Sequence, residues 1–163
     1  MKILKISEVI EGVEQNGVFV FGSNIYGFHG SGSARFAFSK GWATWGHGYG
    51  LDPTGKAYAI NTMGEFGYAQ YGKREEKNAY LKKQHHELLS YIKAHQEKQF
   101  YIAAHGIGGI SKGFTDQEFF NKNIILILNM PNVAVSTLLL DRYKKCGFSQ
   151  FLVGNTGRRL EEA

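Results

Sequence analysis

The chain is short of the residues that staple or punctuate a fold. It has one cysteine, Cys146, and two prolines among 163 residues. A single thiol excludes an internal disulfide and any cysteine-cluster metal site. Cys146 closes an apparent helix and reads as a structural residue. So few prolines exclude Pro-rich linkers and leave the turns to 21 glycines. Long apolar runs are also missing: Ile124–Leu128 is far too short to span a bilayer. Glu8, Glu11 and Glu14 interrupt any apolar core near the start, so no signal-peptide pattern is present. The expectation is a soluble, cytoplasmic protein with no membrane partner. Neither G-x-x-x-x-G-K-[ST] nor H-E-x-x-H occurs, and Gly27-x-x-Gly30-x-Gly32 does not fit G-x-G-x-x-G.

What is present suits one globular domain over residues 1–163. Hydrophobic residues make up 43% and charged residues 20%, which excludes a disordered chain. The net charge of +5 allows a polyanionic partner without demanding one. Much of the excess lies in Lys73-Arg74, Lys77 and Lys82-Lys83, interleaved with Glu75, Glu76 and Glu87. Such a mixture reads as a solvated helix face.

Strand and helix signals alternate along the chain. A short helix capped by Ser7 should run to about Gln15 and end at Asn16-Gly17. Val18–Phe21 and Lys56–Thr62 read as strands around a short helix, Ser33–Lys40. The spacing of Leu81, His85, Leu88, Ile92 and His95 predicts a long helix over 75–97. Phe100–Ala104 is the next strand. Thr115-Asp116-Gln117-Glu118 fits a capping box opening a helix through Leu128. A strand Val133–Ser136, a helix Leu138–Cys146 and a last strand Phe148–Val153 complete the pattern. This alternation predicts a single-domain, three-layer α/β/α fold with helices on both faces of the sheet.

Three strands run into polar or glycine-rich loops. These are Gly22-Ser23-Asn24 with Gly30 and Gly32 beyond, Asn61-Thr62, and His105-Gly106-Ile107-Gly108-Gly109. In open α/β sheets the ligand crevice lies at the carboxyl ends of strands. Glycine backbone can approach a phosphate closely, and amides at a helix start favour an anion. Each candidate also has a plainer explanation. Asn24 suits a ribose hydroxyl or a held water, or a turn that bonds its own backbone. His29 suits acid, base or phosphate-donor work, or a hydrogen bond bracing the loop. Tyr49 and Trp45 suit stacking on a base, or core packing. His105 faces either the ligand or the interior. His85 and His95 are too far apart for an i, i+4 metal pair, so no metal or other cofactor is implied.

The stretch Phe19-Val20-Phe21-Gly22-Ser23-Asn24, then Gly27-x-His29-Gly30-x-Gly32-x-Ala34, resembles the N-terminal motif of a macro-domain-like group of phage and bacterial proteins. The resemblance continues through Gly46-His47-Gly48-Tyr49-Gly50-Leu51, Tyr58-Ala59-Ile60-Asn61-Thr62 and Gly106-Ile107-Gly108-Gly109, over about residues 17–136. Asn61 stands where the pattern has proline, and the last loop continues differently. The resemblance implies a macro-domain-like mixed sheet that binds ADP-ribose or another NAD-derived nucleotide between two loops. Gly22–Gly32 would be one loop and Gly106–Gly113 the other, with Asn24 near the distal ribose. An enzyme of this kind would be an ADP-ribosyl hydrolase, with Asn24 and His29 as candidate catalytic residues. The alternatives are a non-catalytic sequestering or sensing module for a signalling nucleotide, and a domain that binds RNA or single-stranded DNA.

Overall fold

The two faces of one strand organise the fold. In the computed structural model, which describes residues 2–63, 74–107 and 117–145, β2 (Val18–Ser23) is buried along almost its whole length. Val18 and Val20 join one core cluster, while Phe19 and Phe21 join another. Side chains alternate along a strand, so a run that is apolar at every position must be covered on both faces.

The described residues form one six-stranded sheet. Besides β2 it holds β1 (Lys2–Leu4), β3 (Gly50–Leu51), β4 (Ala57–Asn61), β5 (Phe100–Ile102) and β6 (Val133–Ser136), in the order β1-β6-β5-β2-β4-β3. All pairings are parallel except that of β3 with β4. Phe19 pairs with Ala57 on one side and Tyr101 on the other. The fold is α/β, with a mostly parallel mixed sheet between helical layers.

Helices α1 (Ile6–Glu14) and α2 (Gly32–Ser39) cover one face through Val9, Val13, Ala34 and Ala37. The other face carries α3 (Arg74–Ala94) and α6 (Thr137–Lys145). Between them lies a composite helix of α4 (Gln117–Phe119), a π-helical stretch Phe120–Ile124 and α5 (Ile125–Leu128). From β2 the chain crosses to β4 over α2; from β4 it returns past β2 to β5 over α3. Reversing direction while keeping one crossover hand moves the helix to the opposite face.

Several boundaries differ from those expected. Lys5, not Ser7, starts α1, and its N–H donates to Glu8 Oε1 at 3.0 Å. The helix does end at Asn16-Gly17, where Asn16 takes φ +100. Two edge strands, β1 and β3, had no sequence signal because they are three and two residues long. The capping box starting at Thr115 and the strand Phe148–Val153 lie outside the described residues. Among the described residues, no helix is long and apolar enough to cross a membrane.

The stripe expected on α3 is there, with Leu81, Leu88 and Ile92 in the core. His85 is buried on it: its Nδ1 meets the Leu81 carbonyl at 2.6 Å and its ring lies edge-on to Phe119. Burial pushes this imidazole down to about 4, so it is neutral at pH 7. His95 sits beyond the helix end, half-buried against Tyr91.

Candidate functional site

β2 and β5 are neighbours whose onward connections leave in opposite directions, to β4 and to β6. Such a divergence opens a crevice at the carboxyl edge of a parallel sheet. A cleft of about 590 Å³ lies there. The chain beyond β2 contributes Gly22, Ser23, Asn24 and Phe28, then Gly30 to Ala34. Thr62 and Met63 follow β4, and His105 and Gly106 follow β5. The volume suits a small-molecule ligand, for which pockets run from about 300 to 1,000 Å³.

Close approach of strand ends shapes the floor. A Cβ on Gly22 would lie 3.2 Å from Thr62 Cγ2 and 3.8 Å from the Gly106 carbonyl oxygen. Glycine therefore lets three strand ends converge. The Thr62 N–H donates to the Ser23 carbonyl at 3.0 Å, joining two of them.

The wall is the start of α2. The first helical bond there runs from Arg35 N–H to the Ser31 carbonyl at 3.2 Å, and the Ser31 side chain makes no cap. The amides of Gly32, Ser33 and Ala34 precede that bond, and all three residues line the cleft. An uncapped first turn presents N–H groups and the positive end of the helix dipole to an anion. Among the described residues, none that lines the cleft is acidic. His105 stands nearby, its carbons and Nε2 within 4.0 Å of where a Cβ on Gly32 would be. Burial, then the charge of Arg142, holds its imidazole below the ordinary range, so it is neutral at pH 7.

The structure separates the sequence candidates. Gly22, Ser23, Asn24, Gly30, Gly32, Thr62, His105 and Gly106 come together in the cleft. The side chain of Asn24 is largely committed: Nδ2 donates to the Phe28 carbonyl at 2.9 Å and Oδ1 accepts from the Phe28 N–H at 3.1 Å. His29 does not line the cleft and is 1% exposed. Its Nε2 meets the Thr44 carbonyl at 2.9 Å and its Nδ1 meets Ser23 Oγ at 2.9 Å. A carbonyl only accepts, so Nε2 carries a proton, and Nδ1 and the Ser23 hydroxyl share the second hydrogen bond. The resulting chain of Ser23, His29 and Thr44 runs from the cleft through the buried imidazole to the Thr44 backbone.

The remaining candidates turn away from the cleft or lie beyond description. Tyr49 donates to Glu87 at 2.7 Å; burial and that carboxylate raise its phenol well above the ordinary value. Asn61 is fully buried, and its N–H donates to Gln84 Oε1 at 2.6 Å. Ile107 belongs to the core. Gly108 and Gly109 lie outside the described residues. Trp45 packs edge-on to His29 but stays half exposed.

Sequence reasoning passed over Phe28, Ser31, Ser33, Ala34 and Met63 as lining residues. Standing at the cap and in the first turn of a helix was the available signal for the serines; Phe28 and Met63 carried none. Gly109-Ile110-Ser111-Lys112-Gly113 has the spacing of a nucleophile elbow and lies outside the described residues.

Asp52 explains how the neighbouring loop is braced. It accepts from Thr44 N–H at 2.7 Å, Thr44 Oγ1 at 2.8 Å and Thr54 N–H at 3.0 Å. Burial opposes its charge, yet the donors of Thr54 and Thr44 outweigh it and lower its pKa. Among the described residues, no three of His, Cys, Asp or Glu gather as a metal site would require. No protein-family model matches the chain, no curated protein is similar to it, and no solved structure resembles it.

Proposed function

We propose that the chain binds ADP-ribose or a related NAD-derived nucleotide in this cleft, with the diphosphate against the start of α2. The observation that carries the reading is the uncapped first turn of α2 forming one wall of a crevice at the carboxyl ends of β2, β4 and β5. Backbone amides and serines suit a diphosphate that is otherwise sheltered from water. The Gly22-Ser23-Asn24 motif and its macro-domain-like resemblance narrow the ligand to the ADP-ribose class. Titration calorimetry with ADP-ribose tests this. Binding at about 100 times the dissociation constant should also stabilise the fold by about 2.7 kcal/mol. Millimolar ADP-ribose giving neither heat nor a melting shift sinks the proposal.

A second reading is hydrolysis of an ADP-ribosyl bond. One observation favours it: the Ser23–His29–Thr44 chain sets an imidazole behind a hydroxyl on the cleft floor. His29 would take a proton through Ser23 while the Thr44 carbonyl holds its tautomer. Against turnover, the Asn24 amide is spent on Phe28. Release of ADP-ribose from a modified protein or nucleic acid that disappears in Ser23→Ala, with ADP-ribose binding kept, selects hydrolysis. Binding with no release in the wild type selects a sequestering or sensing module.

A further inference from the structure

Beside the cleft lies a row of exposed aromatic rings. Tyr26, Phe28, Phe38 and Trp45 are 47%, 50%, 42% and 51% exposed. Tyr26 and Phe28 lie 5.5 Å apart at 27°, and Phe28 and Trp45 lie 5.8 Å apart at 20°. Phe38 abuts Trp45 edge-on at 5.3 Å. Three rings stacked in offset, each on the next, with a fourth edge-on at the end, form a continuous aromatic shelf. Phe28 belongs to both shelf and cleft, so the two surfaces are contiguous.

Exposing four large rings together costs solvation, and such a patch marks an interaction surface. Charge identifies its occupant. From residue 15 to residue 51 the chain contains no Asp or Glu, and its cations there are Arg35 and Lys40, both exposed. The acids that bound this stretch are occupied: Glu14 accepts from Trp42 Nε1, and Asp52 is buried among threonine donors. Exposed apolar rings on a segment whose own charges are all positive suit an anion that itself has flat faces. A second copy of the chain is a poorer occupant, because a two-fold interface would bring like charge to like.

We propose that a single strand of nucleic acid lies across this shelf, its bases packed against the exposed parts of Tyr26, Phe28 and Trp45, with one of its phosphates seated in the cleft at the start of α2. Every base has a π-face, so the stacking tolerates sequence, and the backbone supplies the anion. The proposal rests on the cleft being a phosphate site, as argued above, and extends the ligand from a free nucleotide to a strand.

The chain offers its own reporter. Of its two tryptophans, Trp42 is buried and Trp45 is half exposed. The probe is a twelve-residue oligothymidylate, followed by tryptophan emission and by anisotropy of a labelled copy. The expected result is saturable binding that quenches emission, with the quench absent in Trp45→Phe. Trp45→Ser should weaken the strand about tenfold or more and leave ADP-ribose affinity within about twofold, since Trp45 does not line the cleft. Circular dichroism establishes that the variant is folded, and Phe38→Ser provides an independent change at the other end of the shelf. ADP-ribose should displace the strand. Affinity should fall with salt at a log–log slope of about −0.7 per phosphate contacted.

No strand binding, or equal affinity in Trp45→Ser and Phe38→Ser, overturns the proposal. So does self-association that Trp45→Ser abolishes, which assigns the shelf to a second copy. ADP-ribose binding without strand binding overturns it while leaving the nucleotide reading of the cleft intact. Strand binding that ADP-ribose fails to displace overturns the phosphate seat, and absent ADP-ribose heat in the same experiment marks failure of the cleft reading itself.

Discussion

Asn24 and Phe28 are joined twice: the Asn24 side-chain amide donates to the Phe28 carbonyl at 2.9 Å and accepts its N–H at 3.1 Å. This clasp closes the loop beyond β2 and fixes Phe28 at the rim of the cleft. The residue with the strongest sequence claim to touch ligand is thereby the one that shapes the loop.

Asn24→Ala removes both bonds and leaves two backbone groups in a part-buried loop to find other partners. The expected cost is about 1–3 kcal/mol of stability, read as a melting shift of about 2–4 °C for each kcal/mol in a chain of this size. Asn24→Asp keeps the acceptor and should recover part of the loss. An unchanged melting temperature in Asn24→Ala, by calorimetry, would show that the clasp contributes nothing.

Ser31→Asp distinguishes support of the helix from binding of an anion. Ser31 is exposed, lines the cleft and stands at the start of α2 without capping it. A carboxylate there should favour the helix dipole by about 0.3–1 kcal/mol. The same charge should repel a phosphate and lower ADP-ribose affinity by about tenfold or more. Stability kept or raised with affinity lost is the expected pair, from melting and calorimetry together. Affinity retained at the wild-type level would place the phosphate elsewhere.

Gly27→Ala and Gly41→Ala form a matched test of close approach. Both positions have positive φ, +67 and +76. A Cβ on Gly27 would enter the backbone of Gly46 and His47, whereas one on Gly41 meets nothing within 4 Å. Gly41→Ala should cost only the left-handed backbone term, about 1–2 kcal/mol. Gly27→Ala should cost clearly more and disturb the loop that carries Phe28 and His29. Urea denaturation ranks the two, and equal costs would refute the packing argument.

His85 makes stability fall in mild acid. Its native pKa is near 4 because of burial, against an ordinary value of 6.5. Between those values the unfolded chain binds the extra proton, so lowering the pH through this window favours unfolding. At pH 5 the loss from this group is about 2 kcal/mol relative to neutral pH. His105, also depressed, acts in the same direction. His85→Leu should flatten the dependence, leaving the smaller slope. Parallel pH profiles for the two proteins would exclude His85 as the source.

How far the site could be read in advance depended on how local its determinants are. The strand-end glycines, Ser23 and His105 reach the cleft because strand direction alone carries them to the carboxyl edge. His29, Tyr49 and Asn61 do not reach it, since their partners are Ser23 and Thr44, Glu87, and Gln84, most of them distant in the chain. No local pattern announces which way such a side chain will turn. The aromatic shelf escaped for the same reason: rings at 26, 28, 38 and 45 acquire a common face only after α2 folds back on the sheet.

The sequence by itself determined the alternation of layers. Val18–Phe21 is apolar at every position, so it had to be a strand covered on both faces. The stripe of Leu81, Leu88 and Ile92 had to be a helix with one buried side, and Asn16-Gly17 had to end one. Tertiary structure alone decided the two short edge strands, since two or three residues hold a β conformation only when a neighbouring strand supplies their hydrogen bonds. It also decided which polar groups face the cleft. A buried donor or acceptor must find a partner, and only the folded chain brings His29 to Ser23 and Thr44, or leaves the first amides of α2 facing open space.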